Sequence, residues 1–139
     1  MYPMPLVIIM DMHTFGYSHE NSEVTWDTRD FWLQAETIKP IKMRIADLLA
    51  KVKGAVEEYD ESDWERVKLA DTKYPPILSP NSRYVLDGIH RLVKMSGLGL
   101  LYCEVKVLKV MPLPIEVKGK PFKIEGMPFE WKAKDSKMV

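Results

Sequence analysis

Between Tyr74 and Val107 the chain is punctuated so closely that no long helix or strand fits inside it. Pro75-Pro76 excludes a helix interior, because each proline lacks a backbone donor and its ring collides with the preceding turn. Pro80-Asn81-Ser82 has turn chemistry, Asp87-Gly88 stops the apolar run Tyr84-Val85-Leu86, and Gly97 is a natural helix terminus. The pieces left between these stops read in order. Tyr74–Ser79 is extended, and Tyr84–Leu86 is a second short strand that pairs with it as a β-hairpin. Ile89–Ser96 is a helix with Leu92, Val93 and Met95 available for packing. Leu101, Cys103, Val105 and Val107 alternate with Tyr102, Glu104 and Lys106, which predicts a closing strand with its core side on the Leu101 side.

The flanks predict short elements as well. Leu6–Met10 is a β-branched run expected to form a buried strand. Asp11–Thr25 is polar and reads as a long loop. Trp26–Ala35 reads as a short helix or an irregular segment carrying Trp26, Phe31 and Trp32 into the core. Ile41, Met43 and Ile45 alternate with charged residues as a half-buried strand. Ala46–Val56 has helical spacing, with Leu48, Leu49 and Val52 on one face and Gly54 as the weak point. Ser62 and Glu65 match a capping box before a helix from Asp63 to about Ala70 that would bury Trp64 and Val67. Beyond Val110, four prolines cut the chain into pieces. Ile115–Val117 and Phe122–Ile124 are candidate edge strands, and the residues from Lys132 onward read as frayed. The expected class is α+β, a small mixed sheet flanked by short helices. It forms one domain over residues 1–139, with a motif core over about 69–108 and a Pro-rich extension over about 111–139. A chain of this size can bury a core without staples.

Charge narrows one functional class to a local basic patch. Lys plus Arg and Asp plus Glu are both 20, so no global basic field would hold the chain on nucleic acid. The single cysteine, Cys103, forbids an internal disulfide and fits a reducing compartment. Met1–Met10 lacks a basic n-region and carries two prolines, unlike a secretory signal. No apolar run reaches the roughly 20 residues a membrane helix needs. The expectation is a cytoplasmic protein without a membrane partner.

The chemistry concentrates at Asp87-Gly88-Ile89-His90-Arg91. A strand that turns at Asp-Gly into a helix carrying His-Arg is an anion site in outline. First-turn amides are free, the dipole is positive there, and glycine allows close approach. Arg91 can grip a phosphate with two parallel hydrogen bonds, and His90 adds a directed donor. Asp87 could orient His90, accept a proton or help hold a magnesium ion. The same residues also suit an ordinary turn in which Asp87 caps the helix.

Tyr74-Pro-Pro-Ile-Leu, a turn, Tyr84-Val-Leu-Asp-Gly-Ile-His-Arg-Leu-Val-Lys and a closing strand resemble the ParB/sulfiredoxin superfamily, over roughly Leu69 to Leu108. The likeness is to small stand-alone ParB-like proteins with a Tyr-Pro-x-Ile-Leu…Asp-Gly-x-His-Arg pattern. The resemblance implies a nucleotide's phosphates at the motif helix, with backbone contacts at Gly88 and Ile89 and phosphate oxygens on His90 and Arg91. ATP, ADP and CTP are the nucleotides it brings in, with Mg2+ as a companion ion. Sulfiredoxins carry a reactive cysteine where this chain has Ile89, which argues against sulfinic acid reduction. Partition clamps add a helix-turn-helix and a dimerisation domain, for which the residues after Val110 leave no room. Serine-kinase-like members share the motif most closely and use an acidic base from elsewhere in the fold. Asp71 is the preferred second acid here, with Glu36 and Asp47 as alternatives. Asp71 equally suits closing the helix that ends near Ala70. Lys73 is a further phosphate candidate.

These readings leave three functions open. The first is a phosphate- or nucleotide-binding enzyme that transfers or hydrolyses a phosphoryl group, with Asp87, His90 and Asp71 as catalytic candidates. The second is a non-catalytic module for a nucleotide or nucleic acid, using a basic stripe of Lys39, Lys42, Arg44, Lys51 and Lys53. The third is an interaction protein built on the Pro-rich segment. His13 and His19 lack the matching cysteine or acid pattern of a zinc site. Oligomeric state is open, since short C-terminal edge strands could pair with a second copy.

Overall fold

The two apolar residues of the hairpin's first strand point to opposite faces of one sheet, and that sheet organises the molecule. A computed structural model describes residues 14–134; the expected strand over Leu6–Met10 lies outside them. The central sheet has four strands: β3 (Ile41–Arg44), β4 (Ile77–Leu78), β5 (Val85–Asp87) and β6 (Tyr102–Val107), in the order β3-β6-β4-β5. β4 runs parallel to β6, and the other pairings are antiparallel, so the sheet is mixed. Three-stranded sheet β1-β2-β7 packs nearby, made of β1 (Thr14–His19), β2 (Ser22–Asp27) and β7 (Glu116–Lys118). The helices are α1 (Thr28–Ala35), α2 (Ile45–Lys51), α3 (Lys53–Glu57), α4 (Glu61–Leu69) and α5 (Ile89–Gly97). The class is α+β, as the punctuation requires.

Alternation along the strands separates two cores. Leu78, Val85 and Val105 face α2 and α5, where they meet Ile45, Leu48, Leu92 and Met95. Ile77 and Leu86 face the other way, onto Val24, Trp26, Phe31 and Leu108. Ile124 and Met127 close this second core from the C-terminal segment, which is therefore built into the fold. Trp26 is fully buried, and its indole Nε1 donates to the carbonyl of Pro112 at 2.9 Å, so its one polar atom is matched.

Several local expectations are corrected. The supposed loop before Thr25 is, from Thr14 on, a β-hairpin with His19 opposite Ser22 and Glu20-Asn21 as its turn. Glu20 holds φ 54, an unusual burden for a side-chain-bearing residue, and the turn lacks the Asn-Gly or Asp-Gly signature. The helical stretch after Arg44 breaks at Val52 rather than at Gly54, which lies inside α3. The capping box on α4 is formed by Asp60 and Asp63, not by Ser62 and Glu65, because α4 begins earlier, at Glu61. Trp64 is 46% exposed and rests edge-on against Tyr59, and Val67 is only half-buried. On β6 only Val105 is fully buried, and Leu101 is exposed. Of the two expected C-terminal strands, one forms β7 on the edge of β2, while Ile124 makes only an isolated bridge to Met127. Lys134 is not frayed: its backbone N–H donates to the carbonyl of Pro114, and its ammonium to Asp30.

Candidate functional site

A cavity of about 640 Å3 opens on the Ile77 side of the central sheet, at the start of α5. Its floor is a row across three strands. Ile77 on β4 stands opposite Lys106 on β6 and Asp87 on β5. Directly opposed residues share a face, so all three point into the cavity. Strict alternation from Val85 would have sent Asp87 to the helical side. The register shift at Ile77/Leu78 is a bulge that re-aims it. α1 forms a second wall with Trp32, Ala35 and the residue that caps its end, Glu36, and Tyr74-Pro75 form the rim.

Asp87 is the hub of this site. Its Oδ2 accepts the indole N–H of Trp32 at 2.8 Å and an Nη2 N–H of Arg91 at 3.2 Å. Trp32, expected in the core, is 38% exposed at the cavity wall and is held there by that bond. Arg91 lies one helical turn after Asp87 and lines the cavity. Its Nε is buried with no hydrogen-bond partner among the described residues. Such an orphan donor costs about 1–3 kcal/mol until something accepts from it. Lys106 Nζ donates to the carbonyl of Ala35 at 2.9 Å, which places a cation at the C-terminal, negative end of α1. The Glu36 backbone N–H donates to the carbonyl of Trp32 at 3.1 Å, while its carboxylate makes no hydrogen bond or ion pair among the described residues.

Gly88 makes the turn into α5. Its φ of +104 is left-handed, and a Cβ there would stand 2.9 Å from Pro76 Cα and 2.8 Å from Arg91 Nη2. The close approach that this glycine permits is thus taken up by the chain's own Pro76. No side chain among the described residues caps the helix that follows. The Ile89 side chain packs into the core between sheet and helices.

His90 and Asp71 are not brought into the cavity. One residue before Arg91, His90 is turned toward α4. Its Nε2 is 3.2 Å from Asp63 Oδ1, and its ring packs on Tyr59 with centroids 5.3 Å apart. Burial pushes the Tyr59 hydroxyl up to about 12, so it stays protonated. Asp71 is exposed, and its Oδ1 accepts the N–H of Lys73 at 3.0 Å. It forms the turn that presents Tyr74 at the rim. Lys73 lies over the Tyr74 ring, with Nζ 5.4 Å from the centroid. Asp47 is exposed on α2, on the far side of the sheet. Burial raises the pKa of the Cys103 thiol and keeps it in the poorly nucleophilic protonated form.

The residues do not fit a magnesium ion held by the protein. Asp87 is already committed to an indole and a guanidinium, and no group of three or more His, Cys, Asp or Glu converges among the described residues. Nor is any helix among the described residues long and apolar enough to cross a membrane. Sequence reasoning passed over Trp32, Tyr74 and Lys106 as site residues. The alternation along β6 set Lys106 on its polar side and gave no sign that this side faces a cavity. No protein-family model matches the chain, and no curated protein or solved structure shows significant similarity to it.

Proposed function

We propose that this protein binds a phosphate-bearing small molecule, a nucleotide among them, in the cavity between α1 and the motif turn. The observation that carries the reading is Arg91: a guanidinium anchored at one end by Asp87, with its Nε unmatched, in the wall of a sizeable cavity. An oxyanion in the cavity would meet the guanidinium charge through a charge-assisted bond, the strong kind, and would satisfy Nε once the side chain turned, since that atom is buried in this conformation. The Lys106 ammonium in the same lining supports the same chemistry. The order strand, turn, Asp-Gly, helix, parallel strand also supports the resemblance to ParB-like proteins. Transfer or hydrolysis of the phosphoryl group would draw on Glu36, the cavity carboxylate with no partner among the described residues, rather than on His90 or Asp71.

Calorimetric titration of phosphate compounds against the purified chain tests this. Arg91→Ala is expected to abolish binding while the fold persists. His90→Ala is expected to leave affinity nearly unchanged, because that ring serves the α4–α5 contact. Loss of binding in His90→Ala alone, with Arg91→Ala unaffected, would move the site to the other side of α5. Release of inorganic phosphate that disappears in Glu36→Gln would add catalysis to binding. Binding of short DNA, with salt-sensitive affinity lost in Lys42→Ala and Arg44→Ala but not in Arg91→Ala, would favour the nucleic-acid module instead.

A further inference from the structure

The cavity contains more than a phosphate needs. Two aromatic side chains line it, Trp32 from α1 and Tyr74 from the rim, and both are unusually exposed for their size, at 38% and 56%. Neither is loose. Trp32 is fixed through Nε1 to the same carboxylate oxygen that anchors Arg91, so the ring wall and the cation share one support. The Tyr74 backbone is set by the Asp71 turn before it and by Pro75-Pro76 after it, and its ring carries Lys73 Nζ 5.4 Å from the centroid. Fixed, exposed aromatic faces in a concave site are stacking platforms for a planar ring.

The charges set a second limit. The lining carries Arg91 and Lys106 against Asp87 and Glu36, so its formal charges cancel. A polyphosphate brings several negative charges and needs a metal ion or a cluster of cations beside it. The lining supplies neither, since Asp87 is engaged and no metal-holding group forms among the described residues. One phosphate at Arg91 is what the site can neutralise.

Resting on the phosphate-binding reading above, we infer that the ligand is a planar heterocycle bearing a single phosphate, a nucleoside monophosphate in chemical class. Trp32 and Tyr74 supply the ring subsite. Affinity comes as much from stacking as from the phosphate, and further phosphates add nothing.

Calorimetry on the full chain with AMP, CMP, ribose 5-phosphate and magnesium-free ATP separates the possibilities. A nucleoside monophosphate is expected to bind at least about tenfold tighter than ribose 5-phosphate, the usual scale of one stacked base. Tyr74→Ala should remove most of that advantage and leave ribose 5-phosphate unaffected. Tyr74→Phe should retain it, because the ring and not the hydroxyl is used. Tyr74 is exposed, so neither variant endangers the fold. ATP should bind no tighter than AMP. Equal binding of ribose 5-phosphate and the monophosphates would overturn the ring subsite and leave the phosphate site standing. ATP binding about tenfold tighter than AMP would overturn the single-phosphate limit. No binding by any of the four would overturn this inference together with the reading beneath it.

Discussion

The two faces of the central sheet are built in opposite ways. On one face, Leu78, Val85 and Val105 meet α2 and α5, and every residue of that core falls between Ile45 and Val105. On the other, Ile77 and Leu86 meet residues from Val24 to Met127, drawn from both ends of the described chain. The first face is assembled from a single stretch of sequence and sends one residue to the cavity, Arg91 from the first turn of α5. The second is assembled by distant segments, and the cavity lies there. The binding chemistry of this protein is therefore a property of the flanks as much as of the motif.

The sharpest way to break that comparison is to empty each face in turn. Phe31 and Leu92 are both fully buried, one on each side of the sheet. Phe31→Ala is expected to cost about 3–5 kcal/mol and Leu92→Ala about 2–5 kcal/mol. Both should shift one and the same cooperative unfolding transition in urea. If Phe31→Ala instead gave an early transition while the motif face stayed folded to the wild-type midpoint, the flanks would be an appendage and the cavity only half a domain.

The same division explains what the sequence revealed. The elements from Ile41 to Val107 were legible because their signals are local: alternation at Ile41-Met43, the turn at Pro80-Asn81-Ser82, and Asp-Gly before α5. The hairpin over residues 14–27 was missed although Phe15, Tyr17, Val24 and Trp26 alternate with other residues as strands do, because its turn is Glu20-Asn21, without the glycine that marks a hairpin. Trp32 and Asp87 are 55 residues apart, and no pattern in either neighbourhood announces their bond. Asp87 itself was found, yet its direction depends on a bulge, and a shift of one residue decides which face a side chain joins. The motif could place Arg91, but the walls that give it a ligand came from outside the motif.

Gly88 is where the faces join, and its replacement should have an intermediate effect. Gly88→Ala forces a side chain into left-handed backbone and against the Cα of the fully buried Pro76. We expect a loss of about 1–3 kcal/mol, with ligand affinity falling further than stability alone explains, because Arg91 Nη2 must also move. Unchanged affinity in the folded fraction would show that the turn supports the fold without setting the guanidinium.

The smallest effect sharpens the account of the α1 wall. Asp27 ends β2 and caps α1, accepting the N–H of Arg29 at 2.9 Å and its Nε–H at 3.0 Å. The hydrogen bonds from the Arg29 side chain, against an opposing contribution from burial, hold the Asp27 carboxyl below its ordinary value of 3.8. A folded-state pKa below the unfolded one means that the carboxylate contributes stability above about pH 4 and loses it as pH falls through the folded value. Asp27→Ala should therefore cost about 1 kcal/mol at pH 7, mostly through the lost cap. The ion pair adds little, because Arg29 is 44% exposed and screened by solvent. In urea titrations the gap between wild type and variant should narrow as the pH is taken below 4. A gap that stayed constant into strong acid would assign the effect to cap geometry alone and remove the charge from the account. Since α1 carries Trp32 and Glu36 over the sheet, the same variant should weaken ligand binding only slightly, the indole being held separately by Asp87.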